Sequence, residues 1–206
     1  MEYNYQYAGI FQSQDEIDNS HQPDAQVGSI RLLDVDPNDG VLNPDDRVIT
    51  KKDPDWIGTF NLDITYKNFD FTVQATTVQG RKMINPYYYS YNQGGDLRGL
   101  FNGIKQNYWT PENPTGDWPR PDAGNSPVFM NTLGLQDASF FRISLLSLGY
   151  TLPEKLTNKL NMGSVRLYST ARNPITITDY KSYSPDQNPN AYPEQVSVVF
   201  GLQVTF

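Results

Sequence analysis

The sequence predicts an all-β chain: about five or six antiparallel strands of a transmembrane barrel, with long extracellular loops. Three observations carry that prediction. First, at positions 196–206 every even residue is large and apolar: Val196, Val198, Phe200, Leu202, Val204 and Phe206. The odd residues, Ser197, Val199, Gly201, Gln203 and Thr205, are mostly small or polar. That is the period of a strand with one greasy face. It ends on an aromatic residue with no polar tail, as a closing barrel strand should; on this stretch alone, the last strand of a soluble sandwich fits equally. Second, positions 56–80 form two alternating arms of membrane-strand length around a two-residue turn. Third, the links between strands alternate in length: 2 residues, then about 57, then 11, then about 22. Short turns on one side and long loops on the other are what an outer-membrane barrel has, and a soluble β-domain gives no reason for them.

Composition bounds the function classes. The chain has 206 residues, 37% of them hydrophobic, and a mean hydropathy of −0.59. No run of about 18 apolar residues exists, so no helix is expected to cross a membrane. A lipid-facing strand uses only alternate residues and escapes that test. A net charge of −7 argues against a nucleic-acid partner. Cysteine is absent, so neither a disulfide framework nor thiolate chemistry is available. Aromatics reach 13%, with 14 Tyr, as suits barrel girdles and sugar-binding surfaces. No signal peptide opens the chain, so a secreted protein would have its true N-terminus upstream.

Four segments follow. Residues 1–55 are a strand-and-loop segment, with a weak strand at 28–34 and an acidic, calcium-like extracellular loop at 34–46. Residues 56–80 are the transmembrane hairpin. Phe60, Leu62, Ile64 and Tyr66 alternate with Thr59, Asn61, Asp63 and Thr65; Phe69, Phe71, Val73 and Ala75 alternate with Asp70, Thr72, Gln74 and Thr76. Lys67-Asn68 is the turn, with Asn expected to take the positive φ. Asp63 and Asp70 should face water. Residues 81–137 are a long extracellular loop, with a Gly-weakened helix expected over 96–106. Residues 138–206 hold the last three strands. Phe141, Ile143 and Leu145 share one phase and Leu146, Leu148 and Tyr150 the other, which predicts a β-bulge at Leu145-Leu146. Residues 153–160 form a short amphipathic helical turn opened by Pro153, on the periplasmic side with Lys67-Asn68. A strand at 164–173 and one external loop complete the segment.

The stretch Asp137-Ala138-Ser139-Phe140-Phe141-Arg142-Ile143-Ser144-Leu145-Leu146-Ser147-Leu148-Gly149-Tyr150-Thr151-Leu152-Pro153 resembles the near-C-terminal signature of the SusC/RagA family of TonB-dependent outer-membrane transporters of Bacteroides-type bacteria. Val165-Arg166-Leu167-Tyr168, Ala171-Arg172-Asn173-Pro174, Tyr183-Ser184-Pro185-Asp186 and the closing Phe200–Phe206 follow in the family's order. Gly9-Ile10-Phe11, Gly28-Ser29-Ile30-Arg31 and Asp53-Pro54-Asp55-Trp56 fit its segment before the last hairpin. Only about 83–135 is unplaced. The resemblance implies a bacterial outer-membrane importer of oligosaccharides or peptides, working with a SusD-like surface lipoprotein and driven by the TonB complex through a plug region not found here. It implies contact with outer-membrane lipid and no enzyme activity. Family barrels have about 22 strands; five or six cannot close one, so this chain resembles a C-terminal portion.

Two candidate sites remain. Asp34, Asp36, Asn38, Asp39, Asp45 and Asp46 resemble a D-x-D-x-D-G calcium loop with one extra residue before Gly40. The alternative is an ordinary loop with Asp and Asn at turn positions. Tyr87, Tyr88, Tyr89, Tyr91, Trp109 and Trp118 are candidate substrate contacts, since rings beside Asn, Gln and Asp suit sugars. Girdle packing, the loop's own core and a partner protein compete for them. The single histidine, His21, lies in a polar stretch without a nucleophile beside it and is expected on the surface. No carboxylate pair stands out as a glycosidase dyad. The competing account of the whole chain is a secreted soluble β-domain that binds glycan and carries a calcium loop. Such a module must bury its strand faces in one core, whereas a barrel must expose them to lipid.

Overall fold

Alternation of apolar with polar residues makes five long strands. In the computed structural model they are β5 (Trp56–Tyr66), β6 (Phe69–Gln79), β9 (Phe140–Thr151), β10 (Ser164–Thr178) and β11 (Ser197–Thr205). Six short strands complete the set: β1 (Glu2–Asn4), β2 (Tyr7–Ile10), β3 (Ile30–Leu32), β4 (Val48–Thr50), β7 (Lys82–Ile84) and β8 (Leu135–Asp137). The structure describes residues 2–85, 107–114, 118–120, 129–187, 192 and 194–206. Two compact units emerge: residues 1–52 with 82–136, and residues 53–81 with 137–206.

The second unit is one antiparallel sheet in the order β11-β10-β9-β6-β5. Its register lines up Leu62, Val73, Leu146, Ala171 and Val198 in one row across all five strands. The adjacent row is Asp63, Thr72, Ser147, Thr170 and Val199. One face is therefore apolar and the other polar along the whole sheet. Among the described residues no second layer covers the apolar face: Phe60 is 57% exposed, Leu202 61% and Phe200 81%. A soluble sandwich buries such side chains against a partner sheet. Trp56 and Phe141 sit toward one end of this face, and Tyr66, Phe69 and Tyr150 toward the other. The Phe69 and Tyr150 rings are 4.6 Å apart. Aromatic girdles at both ends of an apolar band mark a membrane strand.

Two departures from alternation are absorbed by bulges. Gln74 pairs with Leu145 and Ala75 with Ile143, so Ser144 is the extra residue. The bulge thus sits one residue before the expected pair, and it turns Leu145 to the polar face while Leu146 keeps the apolar phase. On the other side, the register shifts between Arg172 and Ile175. Asn173 takes φ 50° there, and Pro174, which has no N–H to give, fits inside the irregularity. The strand expected to stop at residue 173 therefore continues to Thr178.

The two short links lie at one end of the sheet. Asn68 Nδ2 donates to the Thr151 carbonyl at 2.7 Å, and the Thr151 amide donates back to the Asn68 carbonyl at 2.8 Å. The positive φ of the hairpin falls on Lys67 (55°), not on Asn68 as expected. Asn68 has this second task, bridging to β9. The helical turn after Pro153 is present as Glu154–Thr157, continued by a 3₁₀ turn at Asn158–Leu160.

In the first unit, β2 pairs with β3, β1 with β4, and β7 with β8. The strand expected over 28–34 is β3, but it pairs with β2 and adds nothing to the long sheet. Three residues are too few to span a bilayer, and Ile30 and Leu32 are buried in a local core with Leu133. Tyr5, Leu42, Trp118 and Phe129 pack on that core. The helix expected over 96–106 lies outside the described residues.

Candidate functional site

The polar face of the long sheet carries paired charges. Arg166 of β10 reaches across β9 to Asp70 of β6, with Nε–Oδ1 2.9 Å and Nη2–Oδ2 2.5 Å. Gly149 lies beneath this bridge. A Cβ there would come within 2.4 Å of Asp70 Oδ1 and 2.5 Å of Arg166 Nη2, so only glycine leaves the room. Asp63 accepts from Thr72 Oγ1 at 2.6 Å. Both aspartates expected to face water thus lie on the polar face, each with a partner.

Toward the other end, Arg142 is 6% exposed. Its guanidinium donates to Asp186 through Nη1 (2.7 Å) and Nη2 (3.3 Å), to Thr176 Oγ1 through Nε (3.0 Å) and to Ser184 Oγ (3.4 Å). Glu194 Oε2 lies 2.6 Å from Nη1. Burial alone would raise the Asp186 carboxyl, but hydrogen bonds from Arg142 and Ser184 outweigh it and hold it below its ordinary value. Sequence reasoning missed this cluster. Its signal was a lone arginine in the polar phase of the strand, flanked by the apolar-phase Phe141 and Ile143.

In the first unit the acidic loop closes on itself. Asp46, 2% exposed, accepts the amides of Asn43 (2.7 Å), Val35 (3.0 Å) and Asp36 (3.4 Å). The Asn43 amide, helped by those of Val35 and Asp36, holds the Asp46 carboxyl below its ordinary value against the opposing effect of burial. Asp36 Oδ1 accepts from Asn38, backbone and side chain; Asp39 accepts from the Val41 amide and Asn43 Nδ2. Asn43 and Asp46 form a capping box over the 3₁₀ turn Pro44–Asp46, whose Asp45 is exposed. Asp34 pairs with His21 Nδ1, so His21 is half-buried rather than a free surface residue. Among the described residues no three His, Asp or Glu side chains are arranged to hold a metal ion. As placed, the expected calcium ligands do not form a cage.

Tyr87, Tyr88, Tyr89 and Tyr91 lie outside the described residues. Trp109 is 7% exposed, and its indole N–H donates to Gln12 Oε1 at 2.9 Å. Its ring lies over Gly28, where a Cβ would come within 2.4 Å of it. Trp109 and Trp118 are joined by a backbone bond of 3.0 Å, and Trp118 is half-buried against the local core. These two rings pack the unit's interior. A cavity of about 420 Å³ in the same unit is lined by His21, Gln22, Ile30, Leu42, Arg120 and Phe129, among others.

An antiparallel sheet with one bare apolar face, girdled at both ends, and one ion-paired polar face is a section of a membrane-barrel wall. No protein-family model matches the chain. It is 30% identical to TonB-dependent receptor P3 of Formosa agariphila over 90% of its own length and 18% of the relative's. It is 30% identical to TonB-dependent receptor P26 of the same organism over 97% of its length and 22% of the relative's. It is 27% identical to TonB-dependent receptor SusC of Bacteroides thetaiotaomicron over 86% of its length and 18% of the relative's. Among solved structures, the RagAB peptide importer in its open-open state matches with a TM-score of 0.73 at 29% identity, over 99% of this chain and 22% of that one. Its closed-closed state gives 0.70 at 30% identity, over 99% and 23%. The chain is thus related, over nearly all its length, to part of the SusC/RagA-type TonB-dependent receptors. It spans about a fifth of the length of these relatives. The relatives are receptors, not enzymes.

Proposed function

We propose that this chain is the C-terminal barrel portion of a TonB-dependent importer in a bacterial outer membrane. It passes oligosaccharides or peptides, with a SusD-like lipoprotein over its external loops and energy from the TonB complex. The barrel wall does no covalent chemistry. Its apolar face meets lipid, its polar face lines the interior, and its long loops meet the outside. The single observation behind this reading is the continuous apolar row from Leu62 to Val198 on one face of a sheet whose other face carries the hydrogen-bonded and ion-paired polar side chains. The matches to TonB-dependent receptors support TonB-driven import, and the match to the RagAB peptide importer supports a nutrient cargo.

The test is uptake in the native host. Cells with and without the complete gene are given labelled oligosaccharide and peptide mixtures, with TonB active or inactivated. Loss of uptake of one class on deletion, reproduced by inactivating TonB, supports the proposal and names the class. Unchanged uptake of both would overturn it.

A further inference from the structure

The Arg142 cluster has a consequence for the loop between β10 and β11. Arg142 shares the polar phase of β9, because Phe141 and Ile143 on either side take the apolar phase. It sits near the end from which the long connections leave. A guanidinium buried to 6% is tolerated only when its donors are matched by acceptors. The acceptors come from Thr176 on the neighbouring strand and from Ser184 and Asp186 of the loop, and Glu194 adds an ion pair. The guanidinium also lies 4.9 Å from the Phe140 ring centre. Further bonds fasten the loop. Thr178 Oγ1 donates to the Ser139 carbonyl at 2.8 Å, and the Tyr180 amide donates to Thr178 Oγ1 at 3.1 Å. Gln187 Nε2 donates to Glu194 Oε1 at 3.2 Å, joining the outgoing and returning arms. Tyr180 and Ser184 are 4% and 5% exposed, so the outgoing arm is packed rather than free.

We infer that Arg142 is the positioning residue that folds this last external loop onto the polar inner wall, so that the loop narrows the passage instead of standing clear of it. The inference rests on the barrel reading for the meaning of inner. Two carboxylates converge on one guanidinium, so the anchor holds from both arms, and the planar fork gives Asp186 two bonds that lysine cannot reproduce. Asp186 belongs to the Tyr183-Ser184-Pro185-Asp186 element, which gives that element a structural task.

This chain has no cysteine, and with any cysteine elsewhere in the complete receptor replaced by serine, a spin label at Tyr183→Cys, next to the packed Ser184, reports the loop in outer membranes. The expected spectrum is immobilised with Arg142 intact. Asp186→Asn and Arg142→Gln convert most of it to a mobile component. They also raise the rate of protease cleavage in the loop by about tenfold or more, because opening becomes local. Arg142→Lys restores part of the immobilised signal and Glu194→Gln loses less than Asp186→Asn. An unchanged spectrum and cleavage rate in Asp186→Asn, a variant that leaves β9 untouched, overturns the inference even if Arg142→Gln fails to assemble. Failure of the unsubstituted protein to reach the outer membrane would instead overturn the barrel reading.

Discussion

Two neighbouring residues of β9 should respond very unequally to the same charge. Leu146 lies in the apolar row between Val73 and Ala171, and Ser147 in the polar row between Thr72 and Thr170. The strand has 12 residues. At about 3.4 Å per residue it is about 40 Å long, and a tilt of about 40° reduces that to about 30 Å across the bilayer, the hydrocarbon thickness. Leu146 is near its middle. Arginine there costs about 2–4 kcal/mol, or about 30- to 1,000-fold in the folding equilibrium. Arginine at Ser147 enters the wet interior and forfeits the 2.9 Å hydroxyl contact with Thr170, a loss of about 0.5–1.5 kcal/mol. The assay is urea titration of the complete receptor refolded into lipid vesicles, followed by tryptophan fluorescence and by heat-dependent gel mobility. Leu146→Arg should lower the midpoint well beyond Ser147→Arg. Equal shifts, or a larger one for Ser147→Arg, would refute the assignment of faces.

Other perturbations separate the remaining parts of the account. Gly149→Val should push Asp70 and Arg166 apart, lowering stability in the same titration by up to about 1 kcal/mol for a pair at this exposure, and Asp70→Asn in that background should add little further. Asp46→Ala should expose residues 34–47 to protease at neutral pH by removing the acceptor of three amides. Because the folded Asp46 carboxyl is held below its unfolded value, its contribution is present above the ordinary carboxylate pKa and is lost as pH falls through the lowered one. Hydrogen exchange of the Asn43 amide at falling pH checks that sign. Chelation of divalent ions should leave protease resistance of this loop unchanged, since its carboxylates already serve backbone donors; loss of resistance would mean that they gather around a cation. Trp109→Phe should cost the bond to Gln12, about 0.5–1.5 kcal/mol, and leave uptake intact; a selective rise in the half-saturation concentration for a glycan would instead make the ring a contact.

The long strands were legible because one rule governs them. With lipid on one side and a wet interior on the other, each strand must alternate, and Phe60–Tyr66 and Val196–Phe206 do so without interruption. The bulge was legible within one residue for the same reason: the phase of β9 has to change somewhere between Ile143 and Leu146. What fixes Ser144 as the extra residue is the register of Gln74 and Ala75 on the neighbouring strand, which no local pattern in β9 contains. The positive φ at Lys67 was hidden because the bond from Asn68 to Thr151 joins positions 83 residues apart. The short strands of the first unit carry only three or four residues each, too few for a period. The acidic loop was visible as chemistry but not as geometry. Asp46 turned inward to cap amides, and sequence alone could not separate that from ligation of a cation. Trp109 read as a ligand platform because an exposed and a packed aromatic look alike until Gly28 and Gln12 are placed against it.

The central claim is that the even positions of β11 face lipid and the odd ones face water. Spin labels placed one at a time along 197–205 of the complete receptor in vesicles read this directly, through collision with oxygen dissolved in lipid and with a water-soluble nickel complex. The account predicts a period of two, with oxygen favoured at positions 198, 200, 202 and 204 and nickel at the positions between. An inverted phase, or water access at every position, would contradict it.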